Sequence, residues 1–291
     1  MEQDGGILHL PELPIGIRTL TDAEADWLRA YNANARSSVK HCVTCGGSRR
    51  FRWWDAGGSI AEYECPCEEQ LVLHRYLAYS GVELAYQRLR WADLVGCDPD
   101  AGLKVTTWLD RADANLRSGL GLLLLGNQGT GKTLLSQLAF KRLLAEGFEG
   151  WSISFHSIIS NLINSWKSQE AQQAFYSRCL NAPLLVVDDL GKELMRERAV
   201  KGEGMSRVSP MTAEFAIDMI LRHRASAALP TIITSNFTLD QIAQHYGDNI
   251  RSLLSGSFTE VSFNGIDFRA ASRARLEDEV EMGLSRPVVI G

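Results

Sequence analysis

At 291 residues the chain has room for one α/β core of ordinary size and a smaller appendage. Its 45% hydrophobic and 22% charged content is that of a folded globular chain. The densest apolar run, residues 120–125, falls far short of the roughly 18 residues that would mark a membrane span. A net charge of −5 argues against a general polyanion binder, although Glu277, Asp278, Glu279 and Glu281 crowd the C-terminal tail and leave room for a local basic patch elsewhere.

The first residues, MEQDGGILHL, lack the basic start and apolar core of a secretory signal, so a cytoplasmic location is expected. Thiols stay reduced there, and the six cysteines are expected in metal sites or cores more than in disulfides. A helix is predicted over 22–35, with Thr21 as its cap. Residues 41–67 then hold four of the six cysteines. Cys42-x-x-Cys45 and, nineteen residues on, Cys65-Pro-Cys67 are spaced as in a four-cysteine zinc ribbon. Residues 48–55 and 59–64 flank Ala56-Gly57-Gly58 as a hairpin between the two pairs. A Zn²⁺ ion on Cys42, Cys45, Cys65 and Cys67 would stabilise a fragment too small for its own core. Unligated structural thiols are the alternative, and His41 or His74 could replace one sulfur. The hairpin also carries Arg49-Arg50-Phe51-Arg52-Trp53-Trp54, a basic–aromatic string suited to stacking single-stranded bases or to a protein contact, with the protein contact favoured.

From 68 to 79, Leu71, Leu73, Tyr76 and Leu77 fall at helical spacing, ended by Ser80-Gly81. Residues 82–117 read as a linker passing into a helix, with Cys97-Asp98-Pro99 as a turn and Trp108, Leu109 and Leu116 on one apolar face. Beyond this the pattern alternates. Strand-length apolar runs at 120–125, 151–155, 184–187, 231–234 and 258–263 are separated by helical stretches at 132–146, 157–166, 170–179, 212–225 and 239–246. Alternation of this kind predicts an α/β fold, a mostly parallel five-stranded sheet covered on both faces. Residues 192–210 are polar and glycine-containing and read as a mobile loop after the third of these strands. Arg196, Arg198, Lys201 and Arg207 are its residues to test for a phosphate contact, a solvated loop being the simpler reading. The expected organisation is a small N-terminal domain over 1–80, a linker and leading helix over 81–117, an α/β domain over 118–270 and a tail over 271–291.

The most specific signal follows the first run. Gly126-Asn127-Gln128-Gly129-Thr130-Gly131-Lys132-Thr133 is a complete G-x-x-x-x-G-K-T between a strand and a helix. Glycines let the backbone turn its N–H groups toward phosphate oxygens, and the helix adds its positive N-terminal end. Lys132 is placed to reach the β- and γ-phosphates of ATP, and the Thr133 hydroxyl to hold Mg²⁺.

Leu184-Leu185-Val186-Val187 runs into Asp188-Asp189, a buried strand with acids at its carboxyl end. Asp188 is expected to support Mg²⁺ and Asp189 to orient or deprotonate the attacking water; Asp189 as a turn cap is the bland reading. Thr231-Ile232-Ile233-Thr234-Ser235-Asn236 completes the set. Asn236 either helps position that water between the two earlier strand ends or caps the helix beginning near Leu239.

GNQGTGKT, LLVVDDLG, LPTIITSN and FNGIDFR, in this order, resemble the AAA+ ATPases of the DnaC/DnaI helicase-loader and IstB transposition-helper clade over residues 82–270. The resemblance implies that Asn236 is sensor 1 and that Arg269 is sensor 2, touching the γ-phosphate. It also implies an arginine finger in the helix after the sensor 1 strand, at the position of Leu253. Arg251 lies two residues earlier, over half a helical turn away, and Arg224 is a second candidate.

The zinc-like N-terminal module resembles that of DnaI-type loaders, which IstB-type helpers generally lack, and favours that branch. The implied function is ATP-dependent loading of a replicative DnaB-type hexameric helicase onto single-stranded DNA, with ATP-dependent self-assembly of the loader. A transposition helper acting on duplex DNA, or a helicase-binding adaptor with weak ATPase, is the alternative.

Overall fold

The computed structural model describes residues 50–54, 59–64, 73, 74, 76–94, 96–164, 169–191, 210–281, 289 and 290. The expected helix at 22–35, the four cysteines Cys42, Cys45, Cys65 and Cys67, and most of the 192–210 stretch lie outside them. Two compact units divide the chain, one comprising Ser80–Val82 and Arg90–Arg269, the other taking in the hairpin region, Glu83–Leu89 and the segment after Arg269.

In the second of these units, β1 (Arg50–Trp54) and β2 (Ile60–Glu64) pair antiparallel, from Arg50 opposite Glu64 to Trp54 opposite Ile60. The hairpin expected between the cysteine pairs is thus present. His74 contacts Gln87 Oε1 through Nδ1 at 2.7 Å. Among the described residues no group of His, Cys, Asp or Glu gathers as a metal site. None of their helices is long and apolar enough to cross a membrane.

The larger unit is built on β3 (Gly121–Gly126), β4 (Gly150–Ser154), β5 (Leu184–Leu190), β6 (Thr231–Ser235) and β7 (Phe258–Phe263). All pair in parallel, in the order β4-β5-β6-β3-β7. These are the five strands expected from the apolar runs. The sheet is buried on both faces, which is why its strands read as continuous apolar runs and not as alternating ones. On one face Leu123, Leu125, Leu185, Val187 and Ile233 join a single core. That core takes in Phe155, Ile158 and Ile159 of α4 (Phe155–Asn164) and Ala216, Ile217 and Ile220 of α6 (Pro210–Ser226). The alternate residues Leu122, Leu124, Val186 and Ile232 are equally buried. Their cover includes α3 (Lys132–Ala145), which packs on β3, β5 and β6, and α1 (Pro99–Leu109), which packs on α3 and β7.

The Cys97-Asp98-Pro99 segment is a correction. It was expected to form a turn; Cys97 does lie in a bend, but Asp98 caps and Pro99 opens α1, with Asp98 accepting from the backbone N–H of Asp100 and Ala101 at 3.0 and 3.3 Å. Proline is at ease in a helix's first turn, where its missing N–H has no partner to lose. A second helix, α2 (Ala112–Ser118), closes on the left-handed Gly119. The elements α5 (Gln169–Asn181), α7 (Leu239–Tyr246) and α8 (Asp248–Ser257) continue the alternation, and α9 (Arg269–Glu281) begins at the end of this unit's Arg90–Arg269 segment.

Candidate nucleotide site

The strand order places β6 between β3 and β5. The carboxyl ends of these three strands therefore stand side by side, the edge at which open α/β sheets bind ligands. Each end delivers one of the sequence elements singled out above.

β3 leads into the phosphate-loop sequence, and α3 begins at Lys132 with Gly131 as its cap in the left-handed region, φ +95°. Both glycines here adopt a positive φ, and Gly131 is also required by its surroundings. A Cβ on Gly129 (φ +82°) would collide with the Asp267 carboxylate, and one on Gly131 would lie 2.7 Å from the Phe268 ring. Phe268 N–H donates to the Gly129 carbonyl at 3.3 Å, and the ring is largely buried. Inside the loop the Asn127 carbonyl accepts from Thr130 Oγ1 at 2.9 Å and from Lys132 Nζ at 2.6 Å. Lys132 is only 5% exposed. Burial pushes its ammonium down to about 8, against the upward pull of Asp189 and then Asp188, while the Arg269 charge pushes the same way as burial.

β5 continues through both acids to Leu190, beyond the expected end at 187, by means of a β-bulge. Val187 pairs with Ile233 and Leu190 with Ser235, so Asp188 and Asp189 together face the single residue Thr234. Asp189 takes φ +60°, rare outside glycine, and its N–H donates to Thr234 Oγ1 at 2.9 Å. The bulge re-aims the two carboxylates, a device often found beside active sites. Asp188 Oδ1 accepts from the Thr133 hydroxyl at 2.9 Å and from the Thr234 hydroxyl at 2.6 Å. A hydroxyl and a carboxylate held this way are hard oxygen donors of the kind Mg²⁺ takes, directly or through its waters. Thr133 and Asp188 thus fit the ion.

Asn236 follows the end of β6 and is partly exposed. It does not cap the next helix. Thr238 does, its hydroxyl accepting from Gln241 N–H while the Gln241 side chain accepts from Thr238 N–H. Arg269 opens α9 with its side chain 61% exposed, 3.9 Å from an Asp267 oxygen.

The two candidate fingers are not brought to this group. Arg251 lies on α8, about half exposed, paired with Asp240 at 2.8 Å, while Leu253 packs partly buried on the core. Arg224 is a correction: at 1% exposure it lies inside the core. It donates to Thr231 Oγ1 and to the carbonyls of Cys179, Leu180, Ala182 and Pro230 at 2.6–3.3 Å. A guanidinium so fully engaged ties down the starts of β5 and β6 and cannot reach a neighbouring subunit.

Sequence reasoning gave no role to Thr234 or to the pair Asp267 and Phe268. Thr234 had a readable signal, a hydroxyl two residues before Asn236 on a strand next to the acids. The packing of 267 and 268 on the loop had none, because it joins residues more than 130 positions apart.

Comparison with known proteins follows the same lines. No family model matches the chain. The replicative helicase loader DnaI of Bacillus subtilis (strain 168) is 27% identical over 128 residues, which are 44% of this chain and 37% of that protein. The chain therefore spans little more than a third of that relative's length. A crystal structure of DnaI superposes with a TM-score of 0.50 at 22% identity, over 62% of this chain and 94% of that one. A crystal structure of the DnaC helicase loader gives 24% identity and a TM-score of 0.42, over 56% and 87%. The sequence match supports the resemblance to a DnaI-type loader that the motifs suggested, and the superposition on DnaI shows that the two chains share a fold.

Proposed function

We propose that the chain is an ATPase that loads a replicative DnaB-type helicase onto single-stranded DNA. The observation that supports the chemistry best is the junction of Thr133, Asp188 and Thr234 at the carboxyl edge of the sheet, with buried Lys132 beside it. ATP would lie along the loop formed by Gly126, Asn127, Gln128, Gly129, Thr130 and Gly131, its phosphates facing Lys132. Thr133, with Asp188 behind it, would hold Mg²⁺, which would supply charge neutralisation at the phosphates. Asp189 would orient the attacking water, Asn236 would sense the γ-phosphate from the next strand end, and Arg269 would touch that phosphate.

The loader role rests on the likeness to DnaI, a protein named for that activity. In this reading residues 1–80 hold the helicase, organised by Zn²⁺ on Cys42, Cys45, Cys65 and Cys67, and the ATPase unit assembles with copies of itself on single-stranded DNA.

The test is native mass spectrometry of the protein mixed with candidate replicative helicases, with and without ATP. A defined complex, lost when residues 1–80 are deleted but kept by Lys132→Ala in the absence of nucleotide, is expected. No complex with any candidate, together with ATP-dependent filaments on duplex DNA, would overturn the loader reading and leave the ATPase intact.

A further inference from the structure

We infer that Asp267 is an internal competitor for the nucleotide's phosphates, a carboxylate that occupies the face of the phosphate loop and holds Arg269 until ATP displaces it. The inference rests on the reading of residues 126–133 as the ATP site.

Three contacts carry it. The Asp267 carboxylate lies so close on Gly129 that any side chain there would strike it. Its Oδ1 accepts from the Arg269 backbone N–H at 2.9 Å, at the start of α9. Its Oδ2 stands 3.9 Å from Arg269 Nη1. One acid therefore lies against the loop that should cradle phosphate and stands beside the cation that should meet it. The segment is fixed to the loop by the next residue, Phe268, which bonds the Gly129 carbonyl and packs its ring on Gly131.

A phosphate on the amides after Gly129 brings negative charge up to the Asp267 carboxylate. Like charges at such range repel, and the same phosphate attracts Arg269. Binding then exchanges one anion for another: the Asp267 side chain rotates off the loop and the Arg269 guanidinium passes to the nucleotide. The carboxylate is about half exposed, so it has solvent to rotate into. Arg269 would thereby report nucleotide by changing partners, which makes Asp267 a positioning residue and not a catalytic one.

Asp267→Asn separates charge from structure, because asparagine keeps the acceptor for the Arg269 N–H. ATP affinity, measured by fluorescence titration with a labelled ATP analogue, is expected to rise about three- to ten-fold at low ionic strength and to lose most of that gain near 0.5 M salt. In an Arg269→Ala background the gain should shrink, since no cation is left to compete for. Asp267→Ser, also a good cap, should behave as Asn does if the Asn variant folds poorly. Unchanged or weaker ATP binding in both variants would overturn the inference. Lys132→Ala is the separate control. Normal affinity in that variant would sink the nucleotide-site reading itself, whatever Asp267 does.

Discussion

The Thr234 hydroxyl donates to Asp188 Oδ1 at 2.6 Å and accepts the Asp189 N–H at 2.9 Å, so a single β6 side chain holds both acids of the neighbouring strand. The bulge leaves Asp188 and Asp189 opposite one residue, and an unpaired N–H there would cost about 1–3 kcal/mol. Thr234→Val keeps the shape and removes both bonds. It is expected to lower turnover about ten-fold while changing ATP affinity less than about three-fold. The melting temperature should fall by several degrees. Turnover unchanged in a stably folded Thr234→Val would mean that Asp189 needs no such support.

Lys132 carries a pH prediction. Its ammonium is held down to about 8 by burial, and bound phosphates would raise it again. At pH 8 about half of the free lysines are neutral, so ATP binding should take up about half a proton. The uptake should vanish near pH 6.5, where the lysine is already charged. Calorimetry in buffers of different ionisation enthalpy reads this directly, and equal heats in all buffers at pH 8 would refute it. The stability effect has a definite sign. The folded pKa lies below the unfolded one, so between about 8 and 10.4 the unfolded chain binds more protons and stability rises with pH. Lys132→Met should therefore stabilise the protein at pH 7 while abolishing nucleotide binding.

The parts of this architecture that were legible beforehand are those written in local pattern. Five apolar runs became the five strands, because strands buried on both faces carry their signal in consecutive residues. The G-x-x-x-x-G-K-T run and the Asp188-Asp189 pair were readable for the same reason. Pro99 was misread because the Asp-Pro pair serves turns and helix starts alike, and only the helix behind it distinguishes them. Arg224 was misread because arginine is ordinarily exposed, and nothing local shows that four carbonyls and a hydroxyl converge on it. Asp267 on Gly129 is a long-range contact with no periodicity behind it.

Arg224 should behave as a structural residue. Arg224→Met leaves the carbonyls of Ala182 and Pro230, bonded at 2.8 and 2.6 Å, without their buried donor. A loss of about 3 kcal/mol or more in chemical denaturation is expected. Arg224→Lys should recover only part of it, since an ammonium cannot match five planar donors. An arginine finger would show the reverse, with normal stability and lost assembly-dependent turnover.

Arg251 is the finger candidate that remains on the surface, and its setting makes a clean test. Its ion pair with Asp240 is exposed on both sides, at 49% and 72%. Such pairs contribute less than about 1 kcal/mol, so Arg251→Ala should leave stability almost unchanged. A turnover defect in this variant would then report a contact with a neighbouring copy and not a folding fault. Two readings of turnover against protein concentration decide it. If Arg251 serves a neighbour's ATP, wild-type turnover per chain rises with concentration and the variant's stays flat. Wild-type Arg251 supplied as an inactive Lys132→Ala partner should then restore activity to Arg251→Ala chains in mixed assemblies. If both proteins rise together, Arg251 only steadies α8 against α7. The subunit contact would then work without a finger from this helix, as expected if Leu253, partly buried against the core, stands where the resemblance to helicase loaders places an arginine.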